Sequence, residues 1–163
     1  MRTIRRKEKE IRDKNEVLSI LEQVQYITIA MSRDNEPYLV TLSHGYDREQ
    51  NCIYFHCAKE GKKIDILSVN NNVWGQALID KGYVQGACDH LYATVHFMGR
   101  VNFSESFEEK RHAFEIMIKA LDDNPASLIK KQLTKKSITD VNIGRIDIEH
   151  ITGKKSEKVI ISL

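Results

Sequence analysis

The stretch Tyr92–Phe103 alternates without a break. Ala93, Val95, Phe97, Gly99, Val101 and Phe103 fall on one side, and Tyr92, Thr94, His96, Met98, Arg100 and Asn102 on the other. A period of two belongs to a β-strand, and one wholly apolar side must lie over a core. Most strands are about half as long as this one, so its length suits a barrel rather than a flat edge. The remaining elements have to be short enough to pair along it.

They are. Tyr26–Met31 places Ile27, Ile29 and Met31 on one side, and Arg33–Glu36 reads as a hairpin connection. Pro37 opens a second strand from Tyr38 to about Tyr46, Asp47–Asn51 is a polar turn, and Cys52–Cys57 is a third strand. Val73–Ile79 is extended, Lys81–His90 reads as an irregular connection, and Val141–Ile151 is extended again. In that last run the apolar parity switches from odd (Val141, Ile143) to even (Ile146, Ile148), which predicts a bulge around Gly144.

Helix signals fall between these runs. Asp13 with Glu16 is a capping-box start for a helix to Val24, and Lys62–Val69 carries a second helix ended by Asn70–Asn72. Ser106 with Glu109 starts a third, with Phe107, Phe114, Met117, Ile118 and Leu121 turned inward, and Asn124-Pro125 opens a short one through Leu133. The order indicates an α+β protein, mainly antiparallel, built on a small barrel with flanking helices. The βαβ alternation of a doubly wound nucleotide fold is absent. We expect one domain over 1–163, with 1–12 a loose lead and 156–163 a tail.

Composition narrows the function classes. A net charge of +2 demands no nucleic-acid partner, and the lead's Arg2, Arg5, Arg6 and Lys7 are followed closely by Glu8 and Glu10. No apolar run approaches the roughly 18 residues of a membrane span, and no apolar signal core opens the chain, so a cytoplasmic protein with no membrane partner is expected. Cys52, Cys57 and Cys88 are an odd set without CxxC spacing, which fits a reducing compartment. Cys88-Asp89-His90 lacks a second ligand pair, so no metal site is expected.

The richest chemistry lies in Tyr54-Phe55-His56-Cys57-Ala58-Lys59-Glu60-Gly61-Lys62-Lys63-Ile64-Asp65. A strand passes through glycine and two lysines into a helix, which sets unpaired N–H groups beside ammonium groups. Both favour a dianion such as phosphate, although a solvated basic loop would read the same. His56 is a candidate proton donor or substrate anchor. Adjacent strand residues point to opposite faces, so His56 is poorly placed to serve Cys57 as a base. His44 and His96 are expected at the surface, Trp74 in a core or interface, and Arg100 in a salt bridge.

That phrase resembles the signature of the nitroimidazole-resistance proteins, which are pyridoxamine 5′-phosphate oxidase-like, flavin-binding split barrels. Glu36–Tyr46, Thr94–Arg100 and Arg145–Lys154 resemble three further blocks of that family in the same order. The resemblance implies a homodimer of six-stranded split barrels with a flavin, usually FMN, at the subunit interface. It implies that Val40, Thr41, Leu42 and Ser43 present backbone groups to the ring, and that His56, Cys57 and Ala58 lie beside it. Lys62 and Lys63 would hold the phosphate. For Trp74 a stack on a flavin from the partner subunit is the lesser alternative to a core or interface place, and makes it a further cofactor-binding candidate. Thr41 replaces a preferred proline and Cys57 a preferred serine, which reopens the choice between FMN and FAD.

The implied activity is flavin-dependent reduction of small nitroaromatic molecules such as 5-nitroimidazoles. A non-catalytic flavin- or haem-binding protein is the alternative, with His44, His56 or His96 as axial ligand. Oxidation of pyridoxamine phosphate itself would need a second cationic cluster. Only Arg145, Lys154 and Lys155 offer themselves for that role.

Overall fold

The computed structural model describes residues 4–162, so Arg2 of the basic lead lies outside the described residues. A 3₁₀ turn (Lys7–Lys9) is followed by β1 (Glu10–Ile11), α1 (Lys14–Gln23), β2 (Tyr26–Arg33), β3 (Glu36–Ser43), β4 (Gly45–Asp47) and β5 (Cys52–Cys57). Then come α2 (Lys62–Leu67), β6 (Asn72–Val84), β7 (Asp89–Ser104), α3 (Phe107–Leu121), α4 (Pro125–Gln132), α5 (Lys135–Asp140) and β8 (Asn142–Lys155). No described helix is long and apolar enough to cross a membrane.

The strands make one antiparallel sheet in the order β3-β2-β6-β7-β8-β5-β4, with β1 attached to β8. The two ends of that path, β3 and β4, are consecutive in the chain. One expected strand, Tyr38–Tyr46, is therefore broken at His44, where the chain leaves one sheet edge and joins the other. The sheet curls round its core and its ends meet through the chain, not through hydrogen bonds. This is an α+β split barrel.

The long central strand reaches 16 residues, and its inward Ala93, Val95 and Phe97 are fully buried. Ile27, Ile29 and Met31 meet them from β2. Asp34 and Asn35 both adopt positive φ, 51° and 64°, giving the two-residue turn whose twist matches a hairpin. The expected irregular connection at Lys81–His90 is instead a continuation of the β6–β7 hairpin, with Val84 opposite Asp89. The loop signals of Gly82 and Gly86 mark one register shift and one tight turn.

Two capping boxes are only half formed. Asp13 accepts from the Asn15 N–H, and Ser106 from the Glu109 N–H, as caps should. Glu16, however, pairs with Lys155, and Glu109 accepts from Ser104 Oγ at 2.6 Å. Both acids serve tertiary contacts. Helix α5 is an unexpected addition whose box uses Thr134 and Ser137, a hydroxyl standing where Glu or Gln is usual. The termini are tied down more than expected: Ile11 is buried in β1, and Val159 and Ile161 enter the core.

No bulge lies at Gly144. The pairing of β8 with β5 runs unbroken from Asn142 to Asp147, and the slip occurs further on, where Met98 faces His150 and Gly99 faces Ile148. The parity switch has another cause. Even positions face the barrel, and Ile143 faces a smaller core with Cys52, Tyr54, Ala113 and Met117 under α3. Gly144 itself is barrel-facing and empty because the ring of Phe55 fills its place; a Cβ there would sit 2.2 Å from that ring. Gly144→Ala should therefore destabilise the protein by roughly 1–3 kcal/mol through overpacking. Adding Phe55→Leu should restore part of the loss, both read from urea midpoints.

His44, at the break between β3 and β4, is 1% exposed. Its Nε2 lies 2.9 Å from the Leu21 carbonyl, while Nδ1 has no partner. Burial holds the imidazole's pKa below its ordinary value of 6.5, and the Leu21 contact only partly offsets this. The folded chain therefore refuses a proton that the unfolded chain accepts. Stability should be level above about pH 7 and fall as pH drops below about 6.5, by at most about 1.4 kcal/mol per pH unit from this residue. His44→Gln should lower stability throughout but flatten that acid limb, as measured by urea titrations at several pH values.

Candidate functional site

Strand β5 places alternate side chains in two different surroundings. Ile53 and Phe55 enter the barrel and Cys57 packs at its rim, whereas Cys52 and Tyr54 lie under α3 and His56 follows them outward. Past Ala58 the chain turns at Gly61, whose φ of 127° is open to glycine alone at no cost. Ile64 and Asp65 donate to the Gly61 carbonyl, so the N–H groups of Lys62 and Lys63 have no helical acceptor.

The structure separates the two lysines. Lys62 reaches the β2–β3 hairpin, 3.1 Å from Glu36 and 4.8 Å above the ring of Tyr38. A cavity of about 240 Å³ beside it is lined by Arg33, Asp34, Glu36, Lys62, Asp65 and Ile66, so carboxylates outnumber cations there. Lys63 is half-buried on the other side, near Cys57. Burial pushes the Cys57 thiol up and Lys63 pulls it partly back, which leaves Cys57 protonated near neutral pH and argues against a nucleophile. Lys63 with the two N–H groups that lack helical acceptors is a donor set that suits a dianion, while Lys62 rests in an exposed contact with Glu36.

Strand β3 is a sheet edge, paired only with β2. Val40 and Leu42 lean on the core, Ser43 is half-buried, and the exposed Thr41 meets Thr28 through its hydroxyl at 2.9 Å. The outer face of the same region is apolar and uncovered. Leu39, Ala30, Trp74 and Met98 stand in one row by register, with Trp74 44% and Leu39 64% exposed. Trp74 is thus not in the core of the single chain.

His56 opens onto an apolar cavity on the α3 side. It measures about 490 Å³ and lies between β5 and helices α3, α4 and α5, walled by Phe114, Met117, Ile118, Leu121, Leu128 and Leu133. The imidazole stacks on Phe114, with centroids 6.3 Å apart and planes 27° apart. Phe114, Ile118 and Leu121 were expected inward. Of the stripe only Met117 is buried: Phe114, Ile118 and Leu121 line this cavity, and Phe107, in the first turn of α3, is exposed instead of turned inward.

A family model described as pyridoxamine 5′-phosphate oxidase matches residues 13–155. The chain belongs to that family. Among solved structures, a candidate 5-nitroimidazole antibiotic resistance protein of Bacteroides thetaiotaomicron is 27% identical, with a TM-score of 0.76 over 89% of this chain and 85% of that one. A flavocytochrome of Azotobacter vinelandii shares 15% identity, with a TM-score of 0.78 over 94% and 72% of the two chains. An FAD and haem binding protein of Mycobacterium smegmatis shares 14%, with a TM-score of 0.77 over 95% and 77%. The last two likenesses carry the fold alone. No curated protein is significantly similar in sequence.

Of the three cations that offer themselves for a second phosphate, Arg145 and Lys155 are engaged by carboxylates, and Lys154 alone meets none among the described residues. Arg145 donates to Asp147 at 2.7 Å, to Gln50 at 2.7 Å and to Glu109 at 3.2 Å. Burial works against its charge, but the carboxylates prevail and hold its pKa above the usual value. Lys155 is paired with Glu16, and Arg100 with Glu149 at 3.1 Å as expected. His44 is committed to Leu21, which disqualifies it as a ready axial ligand; His96 is exposed on the outer face of β7.

Glu36 and the α3–α5 cavity are parts that sequence reasoning missed. Glu36 is recognisable only once the hairpin is seen to fold over α2. The cavity's signal was present, in an α3 stripe wider than one core needs. The separation of the lysines has a direct test: Lys63→Ala should slow alkylation of Cys57 by iodoacetamide near neutral pH, since it removes the one cation that favours the thiolate. Lys62→Ala should leave that rate unchanged, with labelling at each cysteine followed by peptide mass spectrometry.

Proposed function

We propose that the chain is a flavin-dependent oxidoreductase that reduces small molecules, nitroaromatic compounds among them, and works as a homodimer in the cytoplasm. The observation that carries this is the corner at the end of β5. A half-buried lysine and two backbone N–H groups without helical acceptors stand where the barrel edge is open. Together they form a donor set for one phosphate, and FMN is the flavin that ends in one.

Lys63 and the N–H groups of Lys62 and Lys63 would hold the phosphate. The free edge of β3, from Val40 to Ser43, would offer backbone groups to the ring, and Cys57 and Ala58 would lie along the ribityl chain. A bound flavin supplies the two-electron chemistry between a nicotinamide nucleotide and an acceptor. The protein's own part is to orient, to exclude water, and to offer His56 as proton donor or anchor beside the acceptor. The uncovered row of Leu39, Ala30, Trp74 and Met98 suits a second copy, and an exposed apolar face of that kind marks an association surface. The 27% identity to the Bacteroides protein favours nitro compounds over pyridoxamine phosphate.

FMN should bind the purified protein and quench its own fluorescence. Lys63→Ala should weaken binding roughly 10–100-fold, the worth of one charge-assisted contact of about 1.5–3 kcal/mol. Riboflavin, lacking the phosphate, should bind the parent and that variant alike. A purified protein whose visible spectrum shows a haem Soret band and no flavin would overturn the proposal.

A further inference from the structure

The geometry points to the cavity beneath α3, α4 and α5 as a binding site for a neutral, largely apolar ring molecule, selected by its lack of charge. Calling that molecule the substrate rests on the flavin reading; the binding itself does not.

At about 490 Å³ the cavity is the size of an ordinary small-ligand site. Its walls are aliphatic and aromatic, and the His56–Phe114 stack gives it one flat side. The polar groups that reach it are His56, Gln132, Ser137 and Asp122. These are enough to fix one polar end of a ligand. No lysine or arginine lines it, although Lys130, Lys131, Lys135 and Lys136 sit on the same two helices. A bound anion would lose its water, find no lysine or arginine and face the carboxylate of Asp122.

The space is also prevented from closing. Helix α3 is fixed to the barrel through its first two turns, where Glu109 meets Arg145 at 3.2 Å and His112 meets Asp47 at 2.6 Å. Asp47 is in turn held by the N–H groups of Glu49 and Gln50, each at 3.0 Å. These contacts fix the start of α3, so that Ile118 and Leu121 further along it line the space while Phe114 packs on His56. An apolar stripe kept open in this way is built for an occupant.

The test compares 2-naphthol with naphthalene-2-sulfonate, which share a ring system and differ in charge, by calorimetry on the full-length protein as purified. Naphthol should bind once per chain and the sulfonate at least about tenfold more weakly, a difference of about 1.4 kcal/mol. Leu128→Lys, on the half-exposed inner side of α4, should reverse the order while leaving circular dichroism and FMN affinity unchanged. Equal binding of both compounds by the parent, or no binding of naphthol, would overturn the inference. So would an absence of binding combined with loss of self-association in Leu128→Lys, because the groove would then be a surface between copies. FMN affinity is measured separately, so failure of the flavin reading is distinguishable from failure here.

Discussion

Strand β5 is walled on both sides, and much of the molecule follows from that. Ile53 and Phe55 fill the barrel, while Cys52 and Tyr54 fill the smaller core under α3. A slip of one residue would exchange these sets and ruin both cores at once, so register is strongly held. The pairing with β8 is continuous from Cys52 to Cys57. The end of this strand is therefore a fixed point, and His56, Cys57 and the Gly61 turn are displayed from it with little freedom.

The outer wall of β5 is held by polar contacts as well as apolar ones. The Tyr54 hydroxyl lies 3.3 Å from Arg145, and Arg145 reaches Glu109 on α3. Burial pushes the Tyr54 hydroxyl up and the Cys52 thiol up to about 11, so both stay neutral and only Arg145 needs an anion. Asp47 answers on the far side: burial would raise its carboxyl, but His112 and two backbone N–H groups outweigh that and keep it charged. A buried charge stripped of its partner is costly, so these contacts fix where α3 can sit more than they add net stability. The helix position in turn defines the space before His56.

What the sequence made legible was periodicity, and what it hid was the number of surfaces covering each strand. The alternation over Tyr92–Phe103 gave the barrel's central strand directly, and Ile27, Ile29 and Met31 gave a neighbour. The parity switch near Gly144 was misread as a bulge because a strand with cores on both sides was not considered. His44 looked like a surface residue because alternation cannot show a break at which the chain changes sheet edges. The half-used capping boxes teach the same lesson: Glu16 and Glu109 obey a local rule in sequence and a distant partner in the fold. Of the candidate site, the stretch from His56 to Lys63 was visible, whereas the different fates of Lys62 and Lys63 depend on Glu36, far away along the chain.

The distribution of charge separates the kinds of ligand the fold can serve. Arg145 and Lys155 answer to internal carboxylates, and Lys62 answers to Glu36. Lys62 and Glu36 are both exposed, so that contact is weak and positions more than it binds. Lys63 is left as the lysine beside open backbone N–H groups, which suits one phosphate and not two. The cavity before His56 is lined by no lysine or arginine. A molecule carrying its own phosphate would have to compete for the corner that the proposed cofactor needs, while an uncharged one meets no such conflict. Membership in a family named for pyridoxamine phosphate therefore fixes the barrel, and the placement of Arg145, Lys155, Lys62 and Lys63 sets which of its cations are left to meet a ligand.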